Sequence, residues 1–200
     1  MHNEKTQKLR AIRDEVLALT NSPLYAYRKK NNFYPVIGEG DHDACIMFIG
    51  EAPGKNEALK ARPFCGAAGS ILDELLESAG IHRADVYITN IVKDRPPQNR
   101  DPLPQEIEIY VPFLDRQIEI IKPSVIATLG RFSMAYIMNK FNIPEQSQTI
   151  GKNHGKVFGT QASYGKIHII PLYHPAAAIY NHSSLDTHKK DFAVLKQFAI

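Results

Sequence analysis

A carboxylate, an amide and an imidazole stand at the ends of three separate apolar runs in this 200-residue chain. Glu51 follows residues 44–50 (ACIMFIG), Asn90 lies near the end of 86–92 (VYITNIV), and His174 comes just after 167–172 (IHIIPL). A fourth run, 125–130 (VIATLG), ends in Leu129-Gly130. In an open α/β sheet the crevice beyond the carboxyl ends of the strands is the usual ligand site. The three groups then converge there and can carry acid–base and hydrogen-bonding chemistry on a bound ligand. Each alone has a plainer reading: His174 as a turn histidine, Asn90 as a strand-end amide, Glu51 as an exposed loop carboxylate and Phe64 as core. Their joint occurrence carries the weight.

The elements that must position them are read from hydrophobic spacing. Continuous apolar runs suit strands covered on both faces, as in a parallel sheet. Ile71, Leu72, Leu75, Leu76 and Ala79 recur at helical spacing, with Gly80 as the stop. Ile107, Val111, Leu114, Ile118 and Ile121 form a second stripe, in which Pro112 predicts a kink or a break. Helices are also expected over 5–19, 132–141 and 185–198, the last with Ser184 as N-cap. The fold class is therefore α/β: a three-layer α/β/α arrangement around a central, mainly parallel four-stranded sheet, with residues 1–200 as one domain. Residues 94–104 (DRPPQNRDPLP) read as an extended loop.

Composition narrows the class. Hydrophobic residues make up 44% and charged residues 22%, ordinary for a globular protein. No apolar run reaches membrane-crossing length, and the N-terminus lacks a signal-peptide pattern, so a cytoplasmic protein is expected. A net charge of +3 permits nucleic-acid binding without demonstrating it. Cys45 and Cys65 suggest neither a disulfide framework nor a metal knuckle, and both are expected to be buried or half-buried.

Three motifs then carry a resemblance. Residues 50–57 (GEAPGKNE) with 62–69 (RPFCGAAG), residues 87–93 (YITNIVK) with 95–100 (RPPQNR), and residues 173–177 (YHPAA) resemble, in order, the three motifs of family 4 uracil-DNA glycosylases. The register holds from about Leu19 to Asp191. The resemblance implies a monofunctional DNA repair enzyme that flips uracil out of DNA and hydrolyses its N-glycosidic bond, leaving an abasic site.

In that reading Phe64 is the aromatic floor of the uracil pocket. Asn90 reads the Watson–Crick edge, accepting from N3–H and donating to O4. Cytosine presents the opposite polarity, and a site built on such bonds discriminates by ~10⁴-fold or more. His174 donates to O2 of the departing uracil anion, helped by backbone N–H groups of the Glu51–Gly54 turn, which includes Ala52; donors of this kind are worth roughly 3–4 kcal/mol each. Glu51 orients water or shields the cationic sugar, and Glu57 stands beside the pocket near the uracil C5 position. Gly66 and Gly69, at the start of a helix, offer N–H groups to phosphate. Lys93, Arg95 and Arg100, with the stretch after Pro175, face DNA.

The sequence also departs from the family. Its typical members hold a four-iron, four-sulfide cluster on four cysteines, and the matching positions here are Leu19, Ser22, Asp94 and Tyr110. Thiolate ligation is unavailable, so neither a cluster nor any other metal or cofactor is expected. Leu19 and Tyr110 are expected to replace it by apolar packing, and Ser22 with Asp94 by hydrogen bonding. The partner is uracil-containing DNA, double- or single-stranded, bound by a monomer. Two alternatives stay open: a glycosylase of the same superfamily for hypoxanthine or xanthine, and a catalytically weak DNA-binding relative.

Overall fold

The computed structural model describes residues 2–198. Six strands, β1 (Glu39–Gly40), β2 (Ile46–Gly50), β3 (Tyr87–Asn90), β4 (Val125–Leu129), β5 (Phe158–Ala162) and β6 (Gly165–Leu172), form one sheet in the order β1-β3-β2-β4-β6-β5. The four inner strands are parallel and correspond to the four apolar runs. The two edge strands are antiparallel and enlarge the expected four-stranded sheet to six. Their signals are faint for physical reasons: β1 has two residues, and β5 alternates half-buried with exposed positions.

The helices are α1 (His2–Leu17), α2 (Tyr25–Lys30), α3 (Lys55–Lys60), α4 (Ala67–Ser78), α5 (Pro104–Ile121), α6 (Arg131–Lys140), α7 (Ile150–Asn153), α8 (Ala176–Tyr180) and α9 (Leu185–Ala193). Successive strand residues point to opposite faces, and each face has its own core. Met47, Ile49 and Ile126 pack with Ile12 and Val16 of α1, Leu114 and Ile118 of α5 and Ile137 of α6. Ile46, Phe48 and Ala127 pack with Leu72, Leu75 and Leu76 of α4 and Phe192 of α9. Burying each such Leu or Ile is worth about 1.5–3 kcal/mol. The layering is α/β/α, as the patterning requires. None of the helices among the described residues is long and apolar enough to cross a membrane.

Three local expectations are corrected. Helix α5 runs unbroken through Pro112, because Pro112 and Glu108 both lie on its exposed side. The carbonyl left without its N–H donor there faces water. Ser184 has helical backbone angles and makes no side-chain cap; its hydroxyl donates to the Asn181 carbonyl instead. Cys45 is exposed at the start of β2, whereas Cys65 is half-buried as expected. Gly80, at φ 70°, does close α4: it lets the Ile81 N–H turn back to the Leu76 carbonyl at 2.9 Å.

Candidate functional site

A cavity of about 350 Å³ opens at the carboxyl ends of β2, β3 and β6, and Glu51, Ala52, Glu57, Phe64, Asn90 and His174 all line it. A larger groove of about 850 Å³ lies beside α1, lined by charges of both signs such as Lys5 and Glu4. Converging polar groups, not size, single out the first.

Asn90, the last residue of β3, is 2% exposed, and its side-chain Oδ1 has no hydrogen-bond partner in the protein. A buried acceptor left unpaired costs about 1–3 kcal/mol; Asn90 lines the cavity, where a ligand donor can meet it. Gly50 makes room for it: a Cβ there would come within 2.3 Å of Asn90 Oδ1 and 2.8 Å of Phe64 Cζ.

Phe64 is buried with its backbone in the left-handed region at φ 47°, an unfavourable conformation for a bulky residue. Two contacts hold it there. Glu57 Oε1 accepts from the backbone N–H groups of Cys65 (3.0 Å) and Gly66 (2.8 Å). Gly69 packs against the Phe64 carbonyl oxygen, which a Cβ would meet at 1.9 Å. The ring lies 5.7 Å from that of His174.

His174 Nδ1 accepts from the Ala176 N–H at 3.1 Å, which leaves Nε2–H as the donor of the neutral ring. Burial, and secondarily nearby His188, push its pKa down to about 4, so the ring is neutral at physiological pH. Burial pushes Glu51 the other way, to about 7. Repulsion from Asp101 adds to that rise, and Arg131 opposes it. Arg131, at the start of α6, donates to Asp101 and so ties the Pro-rich loop to the end of β4. Neither residue carries a motif signal, because only the loop's path brings them to Glu51.

The residues expected to face DNA divide. Arg100 lines the cavity but is held by both carboxylate oxygens of buried Glu106, at 2.6 and 2.9 Å. Arg95 is half-buried, donating to Tyr27 (3.1 Å) and Asn99 (2.7 Å) with its guanidinium over Phe33. Gly66 has already given its N–H to Glu57 and so presents no free phosphate donor, while Gly69 is buried against the Phe64 carbonyl. Lys93 is fully buried and turned inward, away from any DNA. Its ammonium donates to Thr89 Oγ1 (2.9 Å), the Asn90 carbonyl (2.6 Å) and Gln117 Oε1 (2.5 Å), and burial lowers its pKa well below the usual lysine range. Beyond His174, Ile179 is exposed on α8; the side chains of Tyr180 and His182 lie outside the described residues.

The four positions matching the family's cluster ligands converge too, with different chemistry. Leu19 packs on the core, and its side chain has no ligating atom. Ser22 Oγ lies 2.8 Å from Tyr110 Oη, which donates to Asp94 Oδ2 at 2.6 Å. Arg28 meets the same carboxylate at 3.0 Å. Tyr110 thus contributes a buried hydrogen bond beyond the expected apolar packing. These hydroxyls and a carboxylate, saturated by one another and by a guanidinium, do not fit an iron–sulfur cluster.

The fold, the motif-bearing loops and the pocket define a class. The family model of the Uracil DNA glycosylase superfamily matches residues 37–197, and the chain belongs to that superfamily. It is 48% identical over 188 residues to a type-4 uracil-DNA glycosylase of Saccharolobus solfataricus, covering 93% of this chain and 84% of that protein. A type-4 uracil-DNA glycosylase of Archaeoglobus fulgidus is 45% identical over 166 residues, 83% of this chain and 81% of that protein. One of Thermotoga maritima is 37% identical over 181 residues, 90% and 88% respectively. Within the superfamily, the type-4 branch is where this chain falls.

Proposed function

We propose that this protein hydrolyses the N-glycosidic bond of uracil in DNA, double- or single-stranded, releasing uracil and leaving an abasic site. The observation that carries this reading is the buried, unpartnered Asn90 Oδ1 facing the same cavity as Phe64 and His174. An acceptor of that kind suits uracil N3–H, while Asn90 Nδ2 donates to O4. Cytosine would place an acceptor against Oδ1 and a donor against Nδ2, leaving both groups unpaired.

Cleavage proceeds with the uracil flipped into the cavity against Phe64. The C1′–N1 bond breaks and its electron pair leaves on uracil, with charge spreading to O2. Neutral His174 donates Nε2–H to O2; because Nδ1 is engaged by the Ala176 N–H, the tautomer is set before substrate arrives. A water adds to the cationic C1′ and passes its proton to Glu51, whose pKa near neutrality suits a base working at pH 7. Glu57 keeps the Phe64 loop in its strained turn and lines the wall. Arg100 and the loop around it approach the DNA backbone. The protein works without an iron–sulfur cluster, a reading supported by the Ser22–Tyr110–Asp94–Arg28 network at the corresponding positions.

The test incubates the protein with oligonucleotides carrying U·G, U·A, single-stranded U, hypoxanthine or T·G, followed by alkaline cleavage of abasic sites. Strand breaks at uracil and none at thymine are expected. A folded protein that leaves every uracil substrate intact overturns the reading, and breaks at hypoxanthine alone favour the deaminated-purine alternative.

A further inference from the structure

The base-reading amide has no side-chain hydrogen bond of its own to aim it. Asn90 Oδ1 is unpartnered, so the direction of the carboxamide is inherited from the backbone of Asn90 and from the walls formed by Gly50 and Phe64. That backbone is the last residue of β3. On one side β3 is paired to β2, and the Ile91 N–H still donates to the Gly50 carbonyl at 3.0 Å. Backbone groups alternate sides along a strand, so the Asn90 carbonyl points to the opposite edge. There β1 pairs only with Tyr87 and Ile88 and stops short of Asn90.

Side chains take over where the strand is missing. Lys93 reaches back to the Asn90 carbonyl at 2.6 Å, and it also holds Thr89 Oγ1 and Gln117 Oε1. Thr89 Oγ1 in turn donates to the Ile37 carbonyl at 2.5 Å, and Gln117 Nε2 donates to the same carbonyl at 2.9 Å and to Tyr87 Oη at 3.1 Å. All three acceptors of the ammonium are uncharged oxygens, and the lysine is 0% exposed. A lysine is rarely buried without a carboxylate, and removing it takes the donor from the buried Asn90 carbonyl and Gln117 Oε1 together. The placement is costly for stability alone, and it falls one turn of chain from the residue that must discriminate between bases.

We propose that Lys93 is a positioning residue for base recognition: its buried ammonium clamps the Asn90 carbonyl and so fixes the carboxamide against the flipped base. This rests on the uracil-excision reading of the same pocket. Lys93 touches no substrate; it acts through Asn90. A displacement of the carboxamide by about 1 Å is enough to cost about 10²-fold in rate.

The test is a double-mutant cycle on single-turnover cleavage of uracil-containing DNA, using wild type, Lys93→Met, Asn90→Ala and the double variant, each checked for folding by circular dichroism. Lys93→Met is expected to lose about 10²-fold in rate with DNA affinity unchanged. In the Asn90→Ala background the same substitution is expected to cost nothing further, because there is no carboxamide left to aim. A purely structural lysine would lower the rate by the same factor in both backgrounds, and that result overturns the proposal, as does a Lys93→Met variant with wild-type rate. If Lys93→Met does not fold, Lys93→Arg, which keeps the charge but displaces the donors, enters the same cycle under the same criteria. A wild type that leaves uracil in place refutes the excision reading itself; a working wild type with an additive cycle refutes only the role of Lys93.

Discussion

Arg28 and Asp94 form an ion pair at 3.0 Å with side chains only 4% and 1% exposed, and Asp94 is one of the four positions that the resemblance matches to cluster cysteines. The guanidinium also donates to the carbonyls of Val16 (3.0 Å) and Leu17 (2.8 Å), the last two residues of α1. A cation there satisfies orphan carbonyls and suits the negative end of the helix dipole. One contact thus ties α1 and α2 to the start of the Pro-rich loop, while Tyr110 and Ser22 add α5 and the intervening turn. Burial raises the Asp94 pKa despite Arg28 and Tyr110, which shows desolvation outweighing attraction.

Removing one partner leaves a buried charge alone. Arg28→Met is expected to destabilise the protein by roughly 3–5 kcal/mol, read as a shift of the urea midpoint, whereas Arg28→Met combined with Asp94→Asn recovers much of that loss. A double variant whose loss equals the sum of those of Arg28→Met and Asp94→Asn alone would show that the pair is not coupled.

The proposed cluster-free reading predicts indifference to iron. Purified protein should contain no stoichiometric iron or acid-labile sulfide, show no visible absorbance, and keep its rate after exhaustive treatment with an iron chelator. One cluster per chain by elemental analysis defeats this expectation.

The inner half of the fold was legible because parallel strands are apolar on both faces, and the pocket was legible because its residues leave strand ends in order. What escaped was set by partners distant in sequence. Lys93 sits beside a charged, Pro-rich loop and reads as a cation facing DNA; its acceptor Gln117 lies 24 positions away, with no pattern to announce it. Arg28 carries no signal in the sequence, since nothing local points to Asp94, 66 positions on. Gly66 and Gly69 look like phosphate donors from their place at a helix start. In the fold they serve the neighbouring Phe64 turn, a tertiary demand that spacing does not encode.

Glu51 sets a pH limb. It must be ionised to accept a proton from water, so kcat/KM is expected to rise with pH through about 7 and then level off. Glu51→Gln should remove the limb along with most of the activity. Asp101→Asn removes a repulsive charge and releases Arg131, both of which favour the ionised carboxylate, so the limb should move to lower pH. A limb that stays in place with Asp101→Asn excludes that coupling.

In the proposed mechanism His174 is a neutral donor, so its protonation should not help catalysis anywhere near neutrality. His174→Ala is expected to lower kcat by about 10²–10³-fold with DNA affinity nearly unchanged. Its folded pKa of about 4 lies below the ordinary 6.5, so between those values the unfolded chain binds the extra proton and stability falls as pH is lowered. His174→Ala should flatten that acid-side fall in urea titrations; an unchanged slope would mean that the ring is not held neutral.

Gly50 separates pocket shape from fold. Its backbone lies in β2 with no need for a left-handed conformation, yet a Cβ would press on Asn90 Oδ1 at 2.3 Å and on Phe64 Cζ at 2.8 Å. Both contacts are side-chain ends, so Gly50→Ala is expected to fold, with a stability loss of about 1–3 kcal/mol from overpacking. The displaced atoms are those that accept N3–H and floor the base, so the rate should fall by about 10²-fold. Free uracil should lose affinity as well, because it fills the same space as the flipped base, while binding to undamaged DNA should be unaffected. Wild-type rate in a folded Gly50→Ala variant would place the reacting base elsewhere than between Asn90 and Phe64.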